Sequence, residues 1–212
     1  VFELALKSLL AYLLGSVSGS LALGAVRGVD IRQMGSGNAG GTNALRTQGL
    51  PFAIGVILID VGKALLAVGW LPGIALPLIG IDTDLDRRWL TVACAAAAVI
   101  GHVYPVWHEF RGGKGAATLL GAVAVLSPWA LLPVLSVWLL TVMLSGYVGL
   151  GTMLGASTLP VFFALYPPRH PAYIAFGLCM ALFVAFTHRS NIARMRAGNE
   201  NRARRLWLLR PR

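Results

Sequence analysis

Three short stretches of this chain gather residues suited to holding anionic oxygen. GSGNAGGTNALR (35–46) is rich in glycine and small polar side chains. Glycine lets the main chain turn with positive φ and approach a ligand closely. Successive amide N–H groups then form a concavity for an anion. Gly37 and Gly40 give that freedom, Ser36, Asn38, Thr42 and Asn43 add neutral donors, and Arg46 adds a planar fork matched to two phosphate oxygens. The plain alternative is a flexible connector of turn residues. A connector needs neither two asparagines nor a following arginine.

FRGGKGAAT (110–118) is the second stretch. Gly112, Gly113 and Gly115 free the backbone, Lys114 supplies a compact cation, and a helix beginning here favours anions at its amides. It is not a nucleotide-phosphate loop of the G-x-x-x-x-G-K-[ST] kind, because His108 stands where the first glycine should be and Gly115 follows the lysine. Alone, it reads equally well as a basic anchor at a membrane edge; beside the first stretch, the phosphate reading leads. HRSNIARMRAGNE (188–200) is the third. Continued as a helix, it brings His188, Asn191 and Arg194 near one face. His188 can serve as a base, a phosphate donor or a structural donor. Glu200 either pairs with an arginine or stays solvated.

Other features narrow the chemistry. The chain lacks H-E-x-x-H, a cysteine–histidine metal cluster, a G-x-S-x-G nucleophile turn and an H-x-x-x-x-D acyltransferase signature. No metal or cofactor is expected. Cys94 and Cys179 lie in apolar runs without C-x-x-C spacing and read as small core residues. Phosphate binding is therefore strong in the sequence, and a dedicated nucleophile or base is weak.

The elements that must position these residues are membrane helices. The chain has 212 residues, 57% hydrophobic and 12% charged, with a mean hydropathy of +0.72. Soluble domains carry about 25% charged residues, so most of this surface faces lipid. The expected architecture is an all-α integral membrane protein of about seven transmembrane helices in one domain, 1–212, with the glycine-rich loops forming the site. The apolar windows are 4–26, 50–71, 89–107, 116–126, 129–144, 148–166 and 171–187. The fourth is too short for a full crossing, where 17–25 residues are usual, and reads as broken or half-length. The apolar stretch 73–81 reads as an interfacial loop. The first run ends without a small-residue cleavage pattern and is taken as a retained helix. Trp70, Trp89, Trp107 and Trp129 sit at span ends as interfacial anchors.

Seven spans put most basic residues on one side: Arg27, Arg32, Arg46, Arg111, Lys114 and the arginines of the C-terminal segment, 188–212. Lys7, Arg87, Arg88 and Arg169 fall on the other. Basic loops stay in the cytoplasm, so the polar stretches are expected on the cytoplasmic face of the membrane, where they can converge. The net charge of +10 then points to anionic lipids or substrates and not to nucleic acid. The arginines from 202 onward read as a headgroup tether. Asp60 and Lys63, i and i+3 within a span, are either a structural tie or a support to the phosphate site. His102 either orients the FRGGKG loop or is a satisfied core histidine.

SGNAGGTN (36–43), FRGGKGAAT and HRSNIARMRAGNE, in this order among short-looped spans, resemble the bacterial acyl-phosphate:glycerol-3-phosphate acyltransferases. DVGKA (60–64) and GHVYPVW (101–107) are similar too. The resemblance implies transfer of an acyl group from acyl phosphate to the 1-hydroxyl of glycerol 3-phosphate, giving lysophosphatidic acid and phosphate, at the start of phospholipid synthesis. It implies that Ser36, Asn38, Thr42, Asn43 and Arg46 bind phosphates. Lys114 with Gly112, Gly113 and Gly115 would share that pocket, and His188, Asn191 and Glu200 would complete it. The family has alanine where Gly41 stands. It has T-R-Y-V-S-L-x-S where this chain has SGYVGLGT (145–152), so Gly146 replaces a basic residue, and Gly149 and Thr152 replace serines. Ser145, Thr152 or backbone amides are the available compensation.

Acyl phosphate is an activated anhydride whose leaving phosphate can itself take the proton of the attacking hydroxyl. The protein then needs mainly to hold two anions together and stabilise the carbonyl oxygen. A span-lined cavity would hold the acyl chain at about 0.8 kcal/mol per buried CH₂. The rival readings are a transporter of a phosphorylated metabolite, which would show repeats and polar groups open to both sides, and a membrane scaffold. The transporter would also need phosphate-binding loops, but the sequence shows no half-to-half repeat and no matching motifs in the outer loops; the scaffold would leave three glycine-rich polar stretches on one face unexplained. The sequence leaves the oligomeric state open, a monomer among the options.

Overall fold

The computed structural model describes residues 1–77 and 81–209. Part of the interfacial stretch (78–80) and Arg210 and Arg212 of the basic tail lie outside the described residues. The chain divides into two compact units, Val1–Leu126 and Ser127–Arg212.

The first unit contains α1 (Phe2–Gly15), α2 (Gly19–Arg27), α3 (Gly41–Gln48), α4 (Leu50–Leu65), α5 (Arg87–Val103) and α6 (Ala116–Leu126). α4 continues through a π turn, Leu66–Trp70, and a 3-10 turn, Leu71–Gly73. Lipid tails are as apolar as leucine, so helices here associate by close packing at small residues. Gly15 on α1 meets the Ala98 carbonyl on α5, and Gly101 on α5 meets the Tyr12 carbonyl in return. A Cβ at Gly19 would lie 2.7 Å from the Val56 carbonyl of α4, and one at Gly121 would lie 2.7 Å from the Val61 carbonyl.

The second unit contains α7 (Leu131–Ser145), α8 (Val148–Leu165), α9 (Pro171–Thr187) and α10 (Arg189–Arg196). The same device recurs. Gly151 and Gly155 on α8 face the Trp138 and Val134 carbonyls of α7, and Gly177 on α9 faces the backbone of Leu159 and Pro160.

The all-helical membrane architecture is as expected, with three differences. Among the described residues five stretches are long and apolar enough to cross a membrane: Phe2–Arg27, Leu50–Gly73, Arg87–His108, Pro128–Ser145 and Val148–Leu165. Pro171–Thr187 with Arg189–Arg196, bent by 51°, raises the number to six. The remaining apolar helix is Ala116–Leu126, with the limits the sequence suggests. Its 11 residues reach about 16 Å against a hydrocarbon core of about 30 Å, so seven full crossings are not confirmed.

Second, the first span is not one helix. It breaks at Ser16–Ser18, and side chains from α4 close the break. Lys63 Nζ donates to the carbonyls of Gly15 (2.7 Å) and Val17 (2.6 Å), while Asp60 Oδ1 accepts from the Gly19 amide (3.1 Å). Third, the stretch 35–46 is a loop only to Gly40; from Gly41 it is α3.

Lys7, assigned above to the outer side, is no loop charge. It is fully buried in α1, bonding Glu3 Oε1 at 2.6 Å and the Pro72 carbonyl at 2.9 Å, and Arg87 binds the same two partners. Trp70, Trp89, Trp107 and Trp129 are exposed, as anchors should be.

Candidate active site

In the first unit the glycine-rich loop is shaped by one side chain. Asn43, buried on the first turn of α3, accepts from the Ser36 amide at 3.0 Å and donates to the carbonyls of Met34 (2.9 Å) and Ile31 (3.2 Å). Gly35 turns there with φ +56°, and a Cβ on it would strike Asn43 Oδ1. Asn43 thus holds the loop's curvature. Gly40 is the N-cap of α3 and brings no side chain to cap it. The opening amides of a helix have no partner within it, so those of α3 suit an anion. Ser36 and Asn38 are half-buried beside this opening, whereas Thr42 and Arg46 are exposed on α3.

Before the loop, Asp30 grips Arg32 at 2.8 Å, and Arg32 Nη1 donates to the His108 carbonyl at 3.3 Å. Hydrogen bonds from Arg32 hold the Asp30 carboxyl below its ordinary range.

The second loop rests on the end of α5. The Gly112 and Gly113 amides each donate at 3.1 Å, to the carbonyls of Val103 and His102. Gly113 leaves no room for a side chain. A Cβ would collide with His102 Nε2 on one side and stand 2.8 Å from the Ala39 carbonyl on the other. The two glycine-rich loops therefore touch, main chain against main chain. Lys114 follows half-buried, and Gly115, with φ +90°, turns the chain into α6.

His102 was left open by the sequence. Its Nδ1 lies 2.9 Å from Lys63 Nζ and 3.4 Å from Asp60 Oδ1, all three residues being buried. Lys63 Nζ is also 3.1 Å from Asp60 Oδ1. The GHVYPVW stretch was the signal that pointed here.

The second unit holds the third motif by itself. His188 ends α9 and starts the bend; its Nδ1 is 2.8 Å from the Val184 carbonyl and 3.3 Å from Thr187 Oγ1. A carbonyl can only accept, so Nδ1 carries a proton. Asn191 Nδ2 donates to Glu200 Oε1 at 3.0 Å, and Arg194 Nε donates to Glu200 Oε2 at 2.6 Å. Glu200 is buried and paired, not solvated.

The turn between α7 and α8 accounts for the departures at 145–152. A Cβ at Gly149 would lie 2.9 Å from Asn191, so a serine there would displace it. A Cβ at Gly146 would lie 3.0 Å from Arg202 Cβ and 3.1 Å from the Trp207 ring. The tail fills that space. Arg202 stacks between Tyr147 (4.5 Å) and Trp207 (4.1 Å) and donates to Tyr147 Oη at 2.7 Å. Ala203 N–H binds the Gly146 carbonyl at 2.7 Å, and Leu208 N–H binds that of Met143 at 2.9 Å. The hydroxyls of Ser145 and Thr152 donate to the carbonyls of Thr141 (2.7 Å) and Val148 (2.9 Å) within their own helices. Sequence reasoning took the tail for a tether and missed Arg202, which nothing local distinguishes from its arginine neighbours.

The family model for glycerol-3-phosphate acyltransferase matches residues 5–198. A glycerol-3-phosphate acyltransferase of Synechococcus elongatus is 41% identical, covering 92% of each chain. That of Chlorobaculum tepidum is 36% identical, covering 91% of this chain and 93% of its own. Crystal structures of PlsY (YgiH), an integral membrane glycerol 3-phosphate acyltransferase, superpose with a TM-score of 0.79 for the glycerol 3-phosphate form and 0.76 for the lysophosphatidic acid form. Identities are 30% and 32%, over 94% of both chains. With its glycine-rich loops, membrane helices and near-complete alignment to these proteins, the chain belongs to the glycerol-3-phosphate acyltransferase family.

Proposed function

We propose that this protein transfers an acyl group from acyl phosphate to the 1-hydroxyl of glycerol 3-phosphate. The hydroxyl oxygen attacks the acyl carbonyl, the bond from that carbon to the phosphate oxygen breaks, and the hydroxyl proton leaves with the phosphate. The products are lysophosphatidic acid and inorganic phosphate. The whole chain serves as one integral membrane acyltransferase domain, with the glycine-rich loops and the C-terminal segment facing the cytoplasm and membrane lipids around it.

The observation that carries this reading is the contact at Gly113, which joins two amide-rich loops in one unit. The amides opening α3, the hydroxyls and amide of Ser36, Thr42 and Asn38, and the cations of Arg46 and Lys114 bind the phosphates. Asn43 keeps that cradle in shape, and Gly112, Gly113 and Gly115 let its second wall come close. In the second unit Asn191 and His188 Nε2 orient substrate and stabilise developing charge, Glu200 fixes Asn191, and Ser145 ends α7. Phosphate as the leaving group makes a protein base unnecessary, in keeping with a sequence without a G-x-S-x-G or H-x-x-x-x-D signature.

The test uses purified protein in detergent with acyl phosphate and glycerol 3-phosphate, following phosphate release and lysophosphatidic acid. Arg46→Ala and Lys114→Ala should abolish turnover by raising KM and lowering kcat, while His188→Ala keeps a measurable rate. A His188→Ala protein that binds glycerol 3-phosphate but matches the empty-membrane background would overturn proton transfer to the substrate phosphate in favour of a histidine base. Phosphate release with the unmodified protein no faster than spontaneous hydrolysis would overturn acyl phosphate as the donor.

A further inference from the structure

We infer that His102, held from below by Lys63 and Asp60, is a positioning residue that sets where the Gly112–Lys114 wall stands for glycerol 3-phosphate. The inference rests on the reading that this loop binds phosphate. Three observations converge on the ring. On its Nδ1 side stands Lys63 Nζ at 2.9 Å, with Asp60 Oδ1 at 3.4 Å. On its Nε2 side stands the Gly113 main chain, so close that no Cβ fits between them. Its own carbonyl accepts the Gly113 amide at 3.1 Å. The imidazole is a rigid spacer between a buried charge pair and the backbone immediately before Lys114.

The pair beneath it is fixed in turn. Lys63 has three donors. Two are taken by the carbonyls of Gly15 and Val17 at the break between α1 and α2. The third is left to Asp60 Oδ1 and His102 Nδ1, at 3.1 and 2.9 Å. The ammonium therefore cannot follow the ring if the ring moves. The Ala39 carbonyl crowds the same face of Gly113, 2.8 Å from where a Cβ would stand, so a change in the ring shifts both loops. Misplacing a binding group by about 1 Å costs up to a hundredfold in rate, which makes a spacer of this kind a determinant of affinity and turnover without touching substrate.

Glycerol 3-phosphate affinity, measured by calorimetry on the purified full-length protein, tests this without reference to the acyl donor. His102→Ala should weaken binding by about tenfold or more. His102→Asn, which keeps an acceptor for Lys63 at the Nδ1 position, should restore stability but only part of the affinity. A purely structural histidine would lower the folded fraction and leave Kd in that fraction unchanged. Gly113→Ala should weaken binding as well, and combining it with His102→Ala should cost less than the product of the two, because both act through one contact. Kd within twofold of the unmodified protein for His102→Ala, or strictly multiplicative effects in the double variant, overturns the inference. If the unmodified protein bound no glycerol 3-phosphate, the phosphate reading of the loops would fall and this inference with it; if it bound but transferred no acyl group, only the donor assignment would fall.

Discussion

The two units build their polar regions in opposite ways. In Val1–Leu126 the loops are made of backbone. Amides of Gly112 and Gly113 are tied to carbonyls, Gly113 touches Ala39, and a buried charge pair lies beneath. In Ser127–Arg212 the polar region is made of side chains. Glu200 holds Asn191 and Arg194, and Arg202 is clasped by two aromatic rings. A backbone-built wall tolerates almost no added atom, since a Cβ at Gly112 or Gly113 would strike the His102 backbone or ring, whereas a side-chain-built region can be rebuilt by other side chains. That is why this chain can carry glycines at 146 and 149, with tail residues and Asn191 in the space, yet offers no such slack at Gly113.

Substitutions can break that contrast. The largest effect should follow Lys63→Met in the first unit. It strands the Asp60 carboxylate and two helix-break carbonyls in a buried setting, at a cost of about 3–5 kcal/mol, read as loss of folded protein in detergent thermal unfolding. Glu200→Gln should cost about 1–3 kcal/mol by weakening charge-assisted bonds to Arg194 and Asn191. Its effect on turnover should exceed that of a tail change if Asn191 acts as proposed. Arg202→Ala should cost about 1–2 kcal/mol through two cation–π contacts and one hydrogen bond. It should also shift a tryptophan emission component that Trp207→Phe removes. An Arg202→Ala effect larger than that of Lys63→Met would reverse the comparison.

The smallest effect concerns pH. Asp30 is held below its ordinary pKa first by its hydrogen bond from Arg32. Its folded value is depressed, so its stabilisation is fully present above the unfolded carboxylate pKa of about 4 and disappears as pH falls through the folded value. The pair is partly exposed, which limits it to about 1 kcal/mol. Asp30→Asn should therefore lower stability slightly at neutral pH and flatten its decline in acid.

Much of this was legible in the sequence because it depends on composition. Hydropathy marked the apolar helices, including the short Ala116–Leu126, and the glycine spacing marked both loops. What was not legible depends on partners distant in the chain. The Gly/Ser-rich run at 15–20 permits a break near Ser16–Ser18, but the groups that make it tolerable in lipid are Asp60 and Lys63 on another helix. Asn43 reads as one more donor in a polar stretch until its three bonds to Ser36, Met34 and Ile31 reveal a scaffold. Arg202 stands among other arginines, and only the bare surface of Gly146 distinguishes it.

The interrupted first helix also makes one membrane segment depend on another. In hydrocarbon no water is present to meet the carbonyls and amide at the break. Their partners are encoded 41 to 48 residues downstream. The segment Phe2–Arg27 is therefore a poor guest of the bilayer by itself, and its place in lipid depends on having α4 beside it.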